Sequence, residues 1–150
     1  MDKIYSDALR LILLRPRTQK EVLDALVRKG HERDSAEEAV SYYADMGYIN
    51  HEDYARRFSR DAARFRGLGP TRIRYELKNR GVEEDIINTA LEEIEFDVSA
   101  EMIKKYGEGK TVDYKTAQKI KNYFYNKGFR ADDINSTFKT LFTVKEEFND

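Results

Sequence analysis

The stretch that decides the fold runs from Gly67 to Val82 and reads GLGPTRIRYELKNRGV. It opens with a turn rich in glycine and proline, continues with Ile73 and Leu77 four positions apart, and ends at Gly81. Apolar residues at this spacing, followed by a glycine, are typical of an α-helix whose C′ residue is left-handed. The stretch therefore predicts a short helix between two turns.

The same spacing of apolar residues and glycine occurs twice more in the chain. Apolar residues stand eight and four positions before each glycine, and six, ten and thirteen positions after it. The three sets are Val22, Leu26, Gly30, Ala36, Val40 and Tyr43; Ile73, Leu77, Gly81, Ile87, Leu91 and Ile94; and Ile120, Phe124, Gly128, Ile134, Phe138 and Leu141. The glycines recur about every 50 residues, a period typical of helical arrays with two or three helices per repeat. The chain is therefore predicted to be a tandem repeat.

Each repeat is predicted to contain three helices. In the first repeat, Thr18 and Glu21 form the signature of a capping box. Further along, helices are expected over residues 83–96 and 131–142, a loop over residues 107–111, and no strands, because no alternation of period two is evident. The predicted fold is all-α, with three tandem three-helix repeats in an elongated, curved array. The predicted boundaries are residues 1–49, 50–97 and 98–145, with a frayed acidic tail over 146–150.

Composition excludes several classes of protein. The 150 residues contain no cysteine, so disulfides and thiolate metal sites are not available. No apolar run reaches the roughly 20 residues of a membrane span, and the N-terminus lacks a signal-peptide pattern. We therefore expect a cytoplasmic, monomeric protein with no cofactor or metal.

Charge is distributed unevenly although the net charge is −1. Residues 56–80 contain two acids and nine basic side chains: Arg56, Arg57, Arg60, Arg64, Arg66, Arg72, Arg74, Lys78 and Arg80. Residues 81–101 contain eight acids and no lysine or arginine. Basic residues four apart lie along one face of a helix, and such a face suits phosphates or an acidic protein surface. The nine basic residues are the predicted partner-binding site; the alternative is a solvated face that pairs with the acidic segment.

The catalytic motifs in the sequence are weak. The segment Gly107–Thr111 ends like a phosphate-binding loop, but Lys104 stands where the pattern requires glycine. His31 and His51 have no second histidine at helical spacing, which favours capping or surface roles over metal ligation. Acidic runs fall in the first turns of helices, where they stabilise the macrodipole. The protein is therefore not expected to be an enzyme.

Most aromatic residues fall on the repeat pattern and are expected in the core. Four tyrosines do not: Tyr42, Tyr75, Tyr123 and Tyr125. These four are candidates for aromatic surface facing a partner.

At this point the residues resemble a known family, the RecX regulatory proteins. The resemblance is carried by Gly47-Tyr48-Ile49-Asn50, Asp53-Tyr54-Ala55-Arg56-Arg57-Phe58, Gly69-Pro70-Thr71-Arg72-Ile73-Arg74-Tyr75-Glu76-Leu77 and Arg80-Gly81-Val82. The flanking segments Arg17–Val22 and Lys127–Phe129 are also similar to that family's first and third repeats. The resemblance implies an array of three-helix repeats that binds the RecA recombinase filament in its helical groove. It further implies that the protein modulates, and most often inhibits, RecA ATPase, filament growth and strand exchange in DNA repair, recombination and the SOS response.

Two alternatives to a filament regulator stay open from the sequence. One is a DNA-binding protein that uses helix-turn-helix-like three-helix modules. Such a protein would bind single- or double-stranded DNA directly, although weakly. The arginine-rich stripe favours it, and the acidic pI near 6.2 opposes it. The other is a structural adaptor without catalytic activity. Direct phosphate binding would weaken steeply with salt, which partly separates the DNA-binding protein from the filament regulator. An adaptor would neither bind DNA nor change recombinase turnover.

Overall fold

The helices follow the predicted repeats. The computed structural model describes residues 2–146, which form nine α-helices and two short strands. The first repeat contains α1 (Lys3–Leu14), α2 (Gln19–Arg28) and α3 (Arg33–Asp45); the second contains α4 (His51–Arg66), α5 (Pro70–Asn79) and α6 (Glu84–Glu92); the third contains α7 (Val98–Tyr106), α8 (Tyr114–Asn126) and α9 (Ala131–Leu141). An all-α repeat array is therefore confirmed. Of the predicted acidic tail, residues 147–150 lie outside the described residues, and the repeat boundaries stay a prediction.

Two strands correct the prediction that none would occur. β1 (Lys110–Val112) and β2 (Phe142–Val144) pair in parallel, with Thr111 opposite Thr143 and Val112 opposite Val144. Strands of three residues are too short to show an alternation of period two, although both end in the β-branched pair Thr-Val. The predicted loop over 107–111 therefore runs into a strand, and the predicted helix over 131–142 ends one residue earlier.

Helix α6 is shorter than predicted. It ends at Glu92, not at Phe96, and Glu93 is its C-cap. Its last turn contains no basic residue, and Glu92, Glu93 and Glu95 place negative charge where the helix dipole is already negative. Extension of the helix is therefore disfavoured.

The positions of the repeat pattern are core positions. In the first repeat Val22, Leu26 and Ala36 are fully buried, and in the third Ile120, Phe124 and Ile134 are almost fully buried. All the other apolar positions of the pattern are buried as well, except for Ile94, which is partly exposed. The three glycines have φ of 103°, 85° and 100°, the left-handed conformation that the pattern requires.

The chain divides into two compact units that cut across the second repeat. The first compact unit contains the residues up to Phe58 together with Glu76–Glu93, and the second contains Ser59–Tyr75 together with the residues from Ile94 onward. Helices α4 and α5 therefore each contribute to both units. Within residues 2–146, no helix combines the length and the apolar character needed to cross a membrane.

In the first compact unit, the carboxyl end of α5 lies against the amino end of α2. The Thr18 hydroxyl donates a hydrogen bond of 2.5 Å to the Arg80 carbonyl, and Lys20 Nζ donates one of 2.8 Å to the Asn79 carbonyl. Thr18 also completes the predicted capping box with Glu21. A helix carboxyl end carries partial negative charge and an amino end partial positive charge, so their contact is electrostatically favourable.

In the second compact unit, the amino end of α5 lies against the turn that follows α8. The Gly69 N–H donates to the Lys127 carbonyl at 2.8 Å, and the Thr71 N–H donates to the Gly128 carbonyl at 3.0 Å. A Cβ atom on Gly69 would lie 2.5 Å from the Gly128 carbonyl oxygen. Gly69 is therefore required by close backbone approach, and Pro70 begins the helix, as the sequence predicts.

Candidate interaction surface

Helix α4 carries five of the nine predicted site residues. The Asn50 side-chain oxygen accepts a hydrogen bond of 2.9 Å from the Asp53 N–H, which caps the helix at its start. Tyr54, Ala55 and Ala62 are buried, whereas the arginines at four-residue spacing are exposed. Gly67, with φ of 63°, ends the helix. Those exposed arginines are Arg56, Arg60 and Arg64.

In the first half of α4, Asp53 partly offsets the positive charge. Its carboxylate oxygens lie 3.0 Å from Arg56 Nη2 and 3.1 Å from Arg57 Nε. Both arginines are exposed, so these ion pairs contribute little to stability. The anions of a partner can therefore replace Asp53 as the ion-pair partner of either arginine. Arg60 is exposed and has no ion-pair partner among the described residues. The helix therefore presents net positive charge to solvent.

The site residues of α5 have mixed surroundings. Arg72 Nη1 donates to the Asn126 carbonyl at 3.2 Å, within the second compact unit. Arg74 is partly buried. Lys78 is exposed, and its Nζ lies 3.8 Å from Glu84 Oε2, within the first compact unit. These residues are thus not one uninterrupted row of solvated cations.

Arg80 has an internal position. Its guanidinium carbon lies 4.3 Å from the centre of the Phe58 ring, a cation–π distance, and its Nη1 lies 3.7 Å from Glu76 Oε1. The side chain is one-third exposed, and its carbonyl accepts the hydrogen bond from Thr18. Its charge is therefore directed mainly at other residues of the first compact unit.

Arg64 and Arg66 line a basic cleft in the second compact unit that sequence reasoning missed. The cleft has a volume of about 310 Å³. Its lining consists of Arg64, Phe65, Arg66, Gly67, Glu101, Lys104, Lys105, Tyr123, Phe124 and Lys127. We refer to it as the basic cleft. Five of these residues are cationic and one is acidic, so the cleft attracts anions.

Two lysines of the basic cleft are held over one aromatic ring. Lys105 Nζ lies 4.4 Å and Lys127 Nζ 5.5 Å from the centre of the Tyr123 ring. Lys127 Nζ also donates a hydrogen bond of 3.1 Å to the Arg66 carbonyl, 61 positions away in the sequence. This separation explains why a search along the sequence does not find the cleft. The available signal was Tyr123, which falls off the repeat pattern.

The four off-pattern tyrosines divide into two groups. Tyr42, Tyr75 and Tyr125 are between 49% and 64% exposed, as expected for aromatic surface. Tyr123 is partly buried, and its ring packs edge-on against Tyr106 and Phe124. Its ring is therefore not aromatic surface, and the ammonium groups of Lys105 and Lys127 lie beside it.

The two histidines make structural contacts inside the first compact unit. His51 is buried; its Nδ1 lies 2.8 Å from a Glu83 carboxylate oxygen, and its Nε2 accepts a hydrogen bond of 3.0 Å from the Gln19 N–H. Burial acts to raise the pKa of Glu83, but the hydrogen bonds from His51 and from its own backbone hold that pKa below its usual value. His51 thereby caps α2. The expected capping role is confirmed, although this ring is not at the surface.

His31 contacts a buried carboxylate. Its Nε2 lies 2.8 Å from Asp7 Oδ2, and Lys29 Nζ lies 3.4 Å from the other oxygen. The hydrogen bond from His31 is the main cause that lowers the pKa of Asp7 below its usual value. Over the part of the chain that the structure describes, no three acidic, histidine or cysteine side chains are grouped so as to hold a metal ion.

The chain matches models of two domains. Residues 5–42 match the first three-helix domain of RecX, and residues 50–91 match the second. The chain is 36% identical over 129 residues to the regulatory protein RecX of Caldanaerobacter subterraneus subsp. tengcongensis, a match that covers 85% of this chain and 64% of that protein. It is 31% identical to the regulatory protein RecX of Halorhodospira halophila, covering 89% of this chain and 84% of that one.

A solved structure agrees with these matches. The crystal structure of RecX from Lactobacillus salivarius aligns with a TM-score of 0.71 and 25% identity, covering 91% of this chain and 93% of that one. The fold defines an array of three-helix domains with a basic surface. The chain belongs to the RecX family of regulatory proteins.

Proposed function

We propose that this protein binds the RecA recombinase filament in its helical groove and inhibits RecA ATPase activity, filament growth and strand exchange. The proposal places it in DNA repair, recombination and the SOS response. Membership of the RecX family carries the proposal, because the resemblance of the central motif implies a RecA filament as the partner.

The exposed cations of α4 support the proposal. Arg56, Arg57 and Arg60 are held only by weak surface pairs or by none, so they can pair with the anionic groups of a filament at little cost. Repeated three-helix domains also suit a polymeric partner, since several weak contacts along one chain add to a stable complex.

The test is the DNA-dependent ATPase rate of the matching RecA on single-stranded DNA, titrated with this protein. We expect the wild-type protein to lower the rate. For the double variant Arg56→Glu, Arg60→Glu, the protein concentration that halves the ATPase rate should rise about tenfold or more. The reason is that two exposed charges at the proposed interface are reversed.

The matched control is Arg28→Glu with Arg33→Glu, which makes the same change in net charge on exposed residues of the first repeat. It should behave like wild type. An unchanged ATPase rate with intact filaments would reject the proposed function, and equal behaviour of the two double variants would reject the assignment of Arg56 and Arg60 to the interface.

A further inference from the structure

The basic cleft lies in the second compact unit and is lined by residues of α4, α7 and α8. We propose that it binds one unpaired nucleotide of a single-stranded nucleic acid, with the base stacked on Phe65 and the adjacent phosphates on Lys104, Lys105 and Lys127. This binding does not require RecA, and so it goes beyond the function proposed above.

Two lysines of the basic cleft, Lys105 and Lys127, are held in position by an aromatic ring. Lys105 Nζ lies 4.4 Å and Lys127 Nζ 5.5 Å from the centre of the Tyr123 ring. The ring attracts both ammonium groups but does not neutralise their charge. An ammonium group has three donors, and Lys127 directs one at the Arg66 carbonyl. Two donors of Lys127 therefore remain for a phosphate, and Glu101 is the single acid in the lining.

Phe65 is the exposed aromatic residue in the lining of the basic cleft. Its side chain is 72% exposed at the end of α4, beside the Arg64 guanidinium, whose carbon lies 5.2 Å from the ring centre. Its ring is therefore accessible to a planar group of a partner. An aromatic ring next to cations is the combination that binds single strands, because every base has a face that can stack.

The size of the cleft favours one nucleotide over a duplex. Its volume of about 310 Å³ is near the lower limit of small-ligand pockets, roughly 300–1,000 Å³. A base within a duplex has both faces covered by its neighbours, so it cannot stack on Phe65 unless it is extruded. The cleft should therefore distinguish single from double strands.

The experiment measures binding of a short fluorescein-labelled oligothymidylate, and of a duplex of equal length, to the isolated protein by fluorescence anisotropy. Phe65→Leu should weaken oligothymidylate binding by roughly tenfold or more and leave duplex binding unchanged. Phe65→Trp, which keeps an aromatic ring at this position, should bind oligothymidylate like wild type. Tyr114→Leu, which removes a similarly exposed aromatic ring from α8, should bind like wild type.

Salt dependence tests the lysines. The double substitution Lys104→Gln and Lys105→Gln should lower the slope of log affinity against log salt concentration by roughly 0.7 for each phosphate that is no longer neutralised, whereas Phe65→Leu should leave the slope unchanged. Equal effects of Phe65→Leu and Tyr114→Leu would overturn the proposal. Competition by polyglutamate as effective as that by oligothymidylate would also overturn it, since the cleft would then be a site for acidic polypeptides. Because RecA is absent from this assay, its result is independent of the ATPase test.

Discussion

Gly128 and Gly30 occupy the same position in two repeats but have different neighbours. Their φ angles are nearly equal, 100° and 103°. A Cβ atom on Gly128 would overlap Arg72, whereas a Cβ atom on Gly30 would meet nothing within 4 Å. The repeat pattern predicts the left-handed conformation at both positions. It does not predict the overlap, because Arg72 is far from Gly128 in the sequence.

We expect Gly128→Ala to destabilise the protein more than Gly30→Ala. Both substitutions force alanine into a left-handed conformation at about 1–2 kcal/mol, and Gly128→Ala adds overpacking of about 1–3 kcal/mol. The free energy of unfolding in urea, measured for both variants, gives the difference directly. Equal losses would mean that the turn after α8 moves away from α5 at no cost.

Asp7 links stability to pH. It contacts His31 and Lys29, and its pKa is lowered, chiefly by the hydrogen bond from His31. A carboxyl whose pKa is lower in the folded state stabilises the fold at pH values above its ordinary pKa of 3.8, and this contribution is lost as the pH falls through the folded-state pKa.

Asp7→Asn should therefore lower the melting temperature at neutral pH, and the difference from wild type should shrink as the pH is reduced below about 4. Thermal unfolding followed by circular dichroism across this range measures it. Asp45→Asn, which changes an exposed carboxyl at the end of α3, serves as the control and should show no comparable loss. A difference for Asp7→Asn that is constant with pH would contradict a stabilising role for the ionised Asp7 carboxylate.

At the scale of elements, caps and glycines determine where helices begin and end. The capping box at Thr18 and the helix start at Pro70 could be predicted from sequence, because both depend on residues within one turn of the helix. The pairing of β1 with β2 could not, because it joins two segments of three residues each that are separated by two whole helices. Helix caps and helix starts can thus be predicted from the sequence, whereas the pairing of two short, distant strands cannot.

Thr18→Ala should cost about 1–2 kcal/mol of unfolding free energy. It removes both the cap of α2 and the hydrogen bond to the Arg80 carbonyl, at a position that is fully buried. Thr18→Ser retains the hydroxyl and should lose less. Asp113→Ala, which removes the cap of α8 at an exposed residue, separates the cap from the contact with α5. If Thr18→Ala is no worse than Asp113→Ala, the hydrogen bond to Arg80 contributes nothing.

At the scale of the whole molecule, the family and the all-α repeat array could be predicted from the sequence, and the positive charge is concentrated in residues 56–80. The surroundings of that charge could not be predicted, because they are set by side chains brought together from distant segments. Arg80, for example, is in a basic run, yet it stacks on Phe58. The basic cleft shows the converse: Lys104, Lys105 and Lys127 lie outside the basic run but join Arg64 and Arg66.

The parallel pairing of β1 with β2 has a consequence for the order of folding. Parallel strands require a crossover, and here the crossover is the whole of α8 and α9. Closing a loop of this length costs chain entropy before the strand contacts repay it, so this step is slow relative to the formation of single helices. We therefore expect the third repeat to complete its structure after its own helices have formed, with the strand pair the last local structure of that repeat to acquire protection in pulse-labelling hydrogen exchange.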